Sequence, residues 1–288
     1  MACGIVVVDK PAGWTSQDVA AKLRGVFHER RIGHGGTLDP MATGVLPIFV
    51  GRATRAVEYF ASEKKEYLAG LRLGVVTNTQ DITGEVLETR PVSLEPGALE
   101  AVLQRFAGKQ QQTPPMFSAV KINGRKLYQL ARAGQEVERK PRSIYIHSIT
   151  LEPDAGEDPV LRVRCSKGTY IRTLCHDIGQ ALGCGGCMSS LRRTAAGRFT
   201  LEDSVPLERL TAASCPEDFL LPLDTLFLSL PALSLNARQE PKCRNGTPVP
   251  CYGRPPGRYR VYGRDGTFLM VGRLEKQTLR TEKSFFEV

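Results

Sequence analysis

The sequence contains no hydrophobic run that approaches the roughly 18–20 apolar residues needed to span a bilayer. Its N-terminus also lacks a basic segment followed by an apolar core, and residues 4–9 already have the pattern of a strand. We therefore expect no signal peptide, no membrane partner and a cytoplasmic location. Dinucleotide fingerprints, P-loops and clusters with metal-ligand spacing are absent as well, so no motif points to a nucleotide cofactor or a metal site.

The cysteines are scattered, which favours free thiols in a cytosolic protein over a disulfide framework. They are Cys3, Cys165, Cys175, Cys184, Cys187, Cys215, Cys243 and Cys251. Cys184 and Cys187 have the spacing of a CxxC motif, but no second pair accompanies them. A single pair cannot fill a tetrahedral zinc site, and a redox role stays open as an alternative.

Positive charge is unevenly distributed along the chain. The 288 residues include 39 Lys and Arg and 30 Asp and Glu, for a net charge of +9. Residues 229–288 hold eleven of the basic and five of the acidic residues, which is +6 of that total. A basic appendage attracts polyanions such as RNA, although it could also be a solvated face. We predict two domains, residues 1–228 and a small basic domain at residues 229–288.

Hydrophobic periodicity predicts strands interspersed irregularly with helices. Helices are expected from a cap at Thr15 or Ser16 and at residues 52–60, 96–106 and 169–182, with short helices in a connector at 204–228. Asn123-Gly124 predicts a hairpin turn. Strands are expected at residues 5–9, 45–50, 66–74, 85–89, 143–151 and 160–165, and in the last domain at 258–262, 268–273 and 285–288. The pattern predicts an α+β fold with a mixed, largely antiparallel sheet and a small C-terminal β-barrel.

The most distinctive segment runs from Gly33 to Leu46 and contains four glycines, one histidine and one acid. Glycines let a backbone approach a ligand closely. Asp39 precedes Pro40, which disfavours a helical conformation at the aspartate. A single carboxylate on such a loop suits a nucleophile better than a metal cage, but it could equally cap the next element.

This loop resembles the active-site signature of the TruB-type tRNA pseudouridine synthases of bacteria, G-H-x-G-T-L-D-P-x-A-x-G-x-L, in every fixed letter. Further blocks match the family in order across about the first 200 residues. They are residues 9–16 (DKPAGWTS), 65–67 (KEY), 81–84 (DITG), 114–121 with 127–128 and 130–132, 167–172 (KGTYIR) and 191–194 (LRRT).

The resemblance implies an isomerase that converts uridine to pseudouridine at position 55, in the T-loop of tRNA. That reaction adds no group and transfers no electrons, so no cofactor is expected. The resemblance also implies a pseudouridine synthase fold with a PUA-like RNA-binding domain at the C-terminus. We expect a monomer that binds the T-arm without an obligate protein partner, because the extensions of guide-directed relatives are absent.

The resemblance assigns Asp39 as the catalytic carboxylate, Arg172 as its counter-charge and Tyr67 as the ring beneath the uracil. Burial disfavours an ionised aspartate, and an arginine compensates because it stays charged. The target base must leave its stack, and an aromatic face can hold it. Substrate-binding roles are implied for His34, Asp81, Tyr170, Leu191 and Lys10. Taken without the resemblance, these are residue types that more often serve packing, solvation or structural ion pairs.

Two other functions are compatible with parts of the sequence. An RNA chaperone could open and refold tRNA, alone or alongside the isomerisation, and loss of Asp39 would separate the two activities. A nucleoside glycosidase could use a carboxylate, but it normally needs a second catalytic acid, and the basic appendage would have no purpose.

Overall fold

A computed structural model describes residues 2–61, 63–153 and 156–286. Its elements in chain order are β1 (Gly4–Lys10), α1 (Ser16–Val26), β2 (Ile32–His34), β3 (Thr43–Val50), α2 (Val57–Phe60), β4 (Lys65–Leu73), β5 (Val75–Thr77), β6 (Val86–Thr89), α3 (Ala98–Phe106), β7 (Gly108–Gln112), β8 (Lys121–Ile122), β9 (Arg125–Lys126), α4 (Leu127–Arg132), β10 (Arg142–Leu151), β11 (Val160–Cys165), α5 (Ile171–Ala181), β12 (Gly186–Ala196), β13 (Phe199–Thr200), β14 (Val205–Pro206), α6 (Leu207–Ala212), β15 (Ala232–Ser234), α7 (Gln239–Arg244), β16 (Val249–Pro250), β17 (Gly257–Tyr262), β18 (Phe268–Glu275) and β19 (Thr278–Ser284). Short 3₁₀ helices lie at Gly51–Ala56, Pro216–Phe219 and Leu223–Phe227.

A ten-stranded sheet forms the centre of the molecule, with the order β14-β1-β3-β12-β4-β11-β10-β7 and with β2 and β13 paired to β3 and β12. The pairs β1–β14 and β3–β12 are parallel, and the remaining pairs are antiparallel. This arrangement confirms the predicted α+β fold with a mixed, largely antiparallel sheet. No helix in the described part of the chain is long and apolar enough to cross a membrane.

Apolar residues cover both faces of the first strands. In β1, Val6 and Val8 belong to the main core, whereas Ile5 and Val7 face a second cluster. Burial on both sides explains why β1 is a continuous apolar run rather than an alternating one. Helices α1, α3 and α5 all contribute buried side chains to the main core, which also contains Tyr67, Ala69 and Leu71 of β4.

Of the two predicted caps of the first helix, Thr15 is the one that caps it. Its hydroxyl accepts a hydrogen bond from the N–H of Asp18 at 3.0 Å, and the Asp18 carboxylate accepts one from the N–H of Thr15 at 2.9 Å, which completes a capping box. Ser16 has a different function, because its hydroxyl is buried against Leu38 in the glycine-rich loop. The start of α1 is therefore joined directly to that loop.

Most predicted elements are present, with shifted ends. Residues 52–60 form a 3₁₀ helix followed by α2, and the Asn123-Gly124 turn joins β8 to β9. The connector at 204–228 contains β14, α6 and two 3₁₀ helices. The strand predicted at 85–89 is β6, but it pairs only with β5, outside the central sheet.

The C-terminal strands form a separate five-stranded sheet with the order β15-β17-β18-β19-β16. Its described edge strands do not pair with each other, so the predicted small β-barrel is confirmed only as a half-barrel. The strand predicted at residues 285–288 is wrong at Phe285 and Phe286, because β19 ends at Ser284. The Phe285 N–H still donates a hydrogen bond to the Leu269 carbonyl of β18 at 2.8 Å, and the rings of Phe285 and Phe286 pack in two different cores. Residues 287 and 288 lie outside the described residues.

The central strand β12 was not predicted from the sequence. Its inward positions include Leu191 and Arg193, and an arginine at a core position conceals the alternation of a strand. Strand β7 was also missed, because its sequence GKQQQ is almost entirely polar.

Substitution of Gly44 tests how closely the parallel strands β3 and β12 must approach each other. Gly44 pairs with Arg193, has a φ of +100°, and a Cβ at this position would collide with the Arg193 carbonyl oxygen. We expect G44A to lower the free energy of unfolding by at least about 2 kcal/mol, because overpacking adds to the cost of a left-handed residue. Urea denaturation measures this quantity.

Gly13 provides the control, because it also has a positive φ, of +83°, but has open space where a Cβ would lie. G13A should cost about 1 kcal/mol, for the backbone alone. Equal losses in the two variants would show that the close approach at Gly44 is unimportant.

Candidate active site

The glycine-rich loop connects β2 to β3 and is anchored on the start of α1. The Leu38 N–H donates a hydrogen bond to the Ser16 hydroxyl at 2.8 Å, and the Leu38 side chain is buried. The Gly13 N–H donates to the Pro40 carbonyl at 2.8 Å, and the Ala42 N–H donates to the Asp39 carbonyl at 3.0 Å. These bonds fix the backbone on both sides of Asp39.

Lys10 lies beneath this loop and is completely buried. Its ammonium donates hydrogen bonds to the carbonyls of Pro11 at 2.8 Å, Trp14 at 2.6 Å and Pro40 at 3.2 Å. Burial lowers the pKa of Lys10 to about 8, against the opposing effect of the Asp39 carboxylate. The structure thus places Lys10 at the floor of the loop, as a cross-link between main-chain segments.

Asp39 and Arg172 form a two-point ion pair. The Arg172 Nε lies 2.9 Å from Asp39 Oδ2, and its Nη2 donates to Oδ1 at 3.2 Å. Arg172 is in the first turn of α5 and its side chain is 5% exposed, whereas that of Asp39 is 33% exposed. The carboxylate therefore keeps an open side while its counter-charge is buried.

Burial raises the pKa of the Asp39 carboxyl above its usual range, and the nearby Asp81 adds to this effect. The Arg172 guanidinium is the largest opposing influence, and Lys10 contributes a smaller one. Arg172 is thus the main group that favours the ionised form of the partly buried Asp39.

The remaining donors of Arg172 hold two further segments. Its Nη1 donates to the Thr79 carbonyl at 3.0 Å, and its Nη2 donates to the Phe117 carbonyl at 2.8 Å. Asp81 is buried and lies 3.6 Å from Nη1. The guanidinium therefore joins four chain segments around one carboxylate.

Asp81 orders the turn that follows β5. Its Oδ1 accepts hydrogen bonds from the Thr79 hydroxyl at 2.9 Å, the Thr83 hydroxyl at 2.6 Å and the Thr83 N–H at 3.0 Å. This ordered turn presents the Thr79 carbonyl to Arg172. Asp81 is thus adjacent to the ion pair, with one oxygen used for local structure.

Tyr67 lies on β4, directly opposite Arg193 of β12, and is 8% exposed. Burial raises the pKa of its phenol, and the charge of Asp39 raises it further, whereas Arg193 lowers it. The structure therefore brings Tyr67 into the electrostatic neighbourhood of Asp39 and Arg193.

The other predicted residues surround this centre less directly. His34 ends β2 and is half-buried, and burial lowers its pKa, which favours the neutral imidazole. Leu191 is buried on β12, two residues before Arg193 and on the same face. Tyr170 precedes α5, and its backbone N–H and carbonyl both bond to the Gln112 side chain, at 2.8 and 3.0 Å.

One residue of the site was missed by the sequence reasoning. Arg193 was recognised only as part of the LRRT block, yet it is 1% exposed and contacts both the loop and Tyr67. The available signal was the pair of consecutive arginines within that block. The described cysteines are all free, and no three His, Cys, Asp or Glu residues in the described part of the chain are grouped to hold a metal ion.

Comparisons with known proteins agree with these blocks. A family model described as TruB family pseudouridylate synthase, N-terminal domain, matches residues 24–171, and one described as tRNA pseudouridylate synthase B C-terminal domain matches residues 172–228. The "tRNA pseudouridine synthase B" of Burkholderia mallei is 42% identical over 289 residues, covering 97% of this chain and 96% of the relative. That of Alkaliphilus oremlandii is 48% identical over 221 residues, covering 77% and 74%.

Solved structures share the fold. A chain from a Cbf5-Nop10-Gar1 complex has a TM-score of 0.73 and 26% identity, covering 98% of this chain and 85% of that one. A chain from an H/ACA RNP bound to a substrate RNA has a TM-score of 0.72 at 24% identity, which supports the fold alone. With the loop geometry, the family models and full-length relatives in agreement, the chain belongs to the TruB family of pseudouridylate synthases and is an isomerase.

Proposed function

We propose that the protein isomerises uridine to pseudouridine at position 55, in the T-loop of tRNA, with Asp39 as the catalytic carboxylate. The observation that carries the proposal is the ion pair, 2.9 Å long, between Arg172 of α5 and Asp39 of the loop that matches the family signature. The relatives named for tRNA support the substrate class, and position 55 follows from the resemblance of the motif blocks.

The reaction is an internal rearrangement. The bond between uracil N1 and ribose C1′ breaks, the base turns, a bond forms between C5 and C1′, and the proton lost from C5 is balanced by one gained at N1. An ionised Asp39 can act at C1′ or at the uracil ring, and either route needs the carboxylate to stay charged once RNA covers its open side. Arg172 supplies that stabilisation from a buried position.

The target base must leave its stack to reach Asp39. We assign Tyr67 as the ring against which the flipped uracil lies, with Leu191 and Tyr170 lining the same pocket. The neutral His34 at the rim fits a role in occupying the space that the base vacates rather than in proton transfer. Asp81 and Lys10 complete the substrate-binding set by ordering the turn and the floor.

The C-terminal sheet is proposed to bind RNA as a PUA-like domain spanning residues 229–288, with residues 1–228 as the catalytic domain. Some of its cations are used internally, such as Arg258, which pairs with Glu282 at 2.8 Å. Others, including Arg254 and Arg280, are exposed and have no ion pair with any described residue. We propose that the enzyme works alone in the cytoplasm, as a monomer on the T-arm.

Replacement of Asp39 tests the proposed chemistry. D39N should lower the single-turnover rate of pseudouridine formation in an unmodified T-arm stem-loop by at least about a thousandfold, on the scale of losing a catalytic group. RNA affinity should stay within about threefold, because the amide has nearly the same shape. Chemical mapping with primer extension locates the product. Residual tRNA refolding by D39N would reveal a separate chaperone activity.

The exposed Asp203 supplies the control, because its carboxylate accepts hydrogen bonds from the Thr200 N–H and hydroxyl, at 2.8 and 3.2 Å, far from Asp39 in the sequence. D203N should leave the rate unchanged. Turnover by D39N close to that of the unaltered protein would remove Asp39 from the mechanism, and product at another uridine would overturn the assignment to position 55.

The pKa of Asp39 makes a second prediction. Only the ionised form is active, so the single-turnover rate should rise with pH through a pKa that lies above the usual aspartate value of about 4. Removing the positive charge in R172Q should move this acid limb to higher pH. R172K keeps the charge and should leave the limb near its original position, even if the rate falls. An unshifted limb in R172Q would contradict the role of Arg172.

The cations of the C-terminal sheet make a third prediction. Deletion of residues 229–288 would expose Phe227, whose ring centroid lies 5.8 Å from those of Phe268 and Phe285. Point variants are therefore the cleaner test. The double variant R254Q/R280Q should weaken T-arm RNA binding and reduce the slope of log affinity against log salt by about 1 to 2. R254K/R280K should preserve the slope. An unchanged slope in the glutamine variant would place RNA elsewhere.

A further inference from the structure

Arg193 is the largest of the fully buried side chains, and the proposed chemistry does not yet use it. It is 1% exposed and lies on β12, between Gly44 of β3 on one side and Tyr67 of β4 on the other. Burying a charge is costly unless the charge is paired or fully hydrogen-bonded. A guanidinium at the centre of the sheet therefore requires an explanation.

No carboxylate among the described residues lies within ion-pairing distance of Arg193. Its Nε donates to the Val45 carbonyl at 2.6 Å, and its Nη2 reaches the Gly36 carbonyl at 3.4 Å. By contrast, the neighbouring Arg192 is partly exposed and pairs with Asp9 at 2.8 Å. Arg193 is thus held by main-chain oxygens rather than by an opposite charge.

These partners belong to the candidate active site. Gly36 is three residues before Asp39 in the same loop, and Val45 is on the strand into which the loop runs. Tyr67 is the direct cross-strand neighbour of Arg193, so the two side chains project from the same face of the sheet. The fork of one guanidinium can therefore set the loop and the phenol at fixed positions relative to each other.

Stability alone does not account for a charge at this position. Replacing buried charges with apolar residues of similar volume is often neutral or stabilising, so a fold does not need one for its own sake. The charge of Arg193 also acts on two other buried cations, since it helps to lower the pKa of Lys10 beneath the loop and of Lys65 on β4. The hydrogen-bond acceptors of Arg193 are the carbonyls of the Asp39 loop and of the strand that follows it.

We propose that Arg193 is a positioning residue for uridine isomerisation, which holds Tyr67 and the Gly36 end of the Asp39 loop in the geometry that the reaction needs. It acts through these groups and not by contact with the reacting atoms. The inference rests on the proposed function, because it concerns the rate of that reaction.

The test is a double-mutant cycle between Arg193 and Tyr67, measured as single-turnover pseudouridine formation in a T-arm stem-loop. R193K keeps the charge but loses the fork of donors. We expect it to lower the rate at least about tenfold, since small misplacements of reacting groups can cost up to about a hundredfold. RNA affinity should stay within about twofold. In a Y67F background, which lacks the phenol oxygen, the cost of R193K should fall at least about threefold.

A structural readout accompanies the rates. In protein labelled with ¹³C at the ζ carbon of tyrosine, the Tyr67 resonance is identified by its absence in Y67F. R193K should shift this resonance. R162K is the matched control. Arg162 lies on β11, which pairs with β4, and it projects from the face of the sheet opposite to Tyr67. Its guanidinium pairs with Glu152 and Glu66. R162K should change neither the resonance nor the rate.

The outcomes separate the possibilities. Equal costs of R193K with and without the Tyr67 hydroxyl, together with an unmoved resonance, would overturn the proposal. Loss of folding in both R193K and R193Q would also overturn it, by assigning Arg193 to stability. If the unaltered protein forms no pseudouridine, the proposed function fails, and the resonance shift alone still reports whether Arg193 positions Tyr67.

Discussion

The structure around the candidate site depends on the need to keep one partly buried carboxylate charged. Asp39 is buried enough for its pKa to rise, and the Arg172 guanidinium is the main influence that opposes this rise. Because a guanidinium has five donors in a rigid fork, the same group also binds the Thr79 and Phe117 carbonyls. Compensation of a single charge therefore brings together α5, the glycine-rich loop, the turn after β5 and the segment before β8.

A second constraint is that a loop rich in glycine has little stiffness of its own. The protein holds this loop from below with cations that bond to main-chain carbonyls on either side of Asp39. Lys10 reaches the Pro40 carbonyl at 3.2 Å, and Arg193 reaches the Gly36 carbonyl at 3.4 Å. Both cations hold the backbone of the loop, and the charge of Lys10 also favours the ionised Asp39 carboxylate.

The sequence predicted those parts of the fold and site that local chemistry determines. Apolar periodicity located β1, β3 and β4, and a capping pattern located α1. Asp39 and Arg172 were identified from a motif, but only the structure shows that they meet. Strand β12 was missed because Arg193 occupies a core position, where its partners are carbonyls distant in sequence. No local pattern can reveal such a partner, and the same difficulty concealed both the strand and the residue.

The missed strand is also the one that the site requires most. Strand β12 separates β3, which follows the Asp39 loop, from β4, which carries Tyr67, and it pairs with both. The distance between the carboxylate and the phenol is therefore set across β12, and any change in its register would move one relative to the other. Gly44 allows the close approach of β3 to the Arg193 backbone, and the Arg193 side chain bonds to the loop. Arg193 thus takes part both in the register of the sheet, through its backbone, and in the geometry of the site, through its side chain. A buried charge replaces the usual apolar residue at this core position.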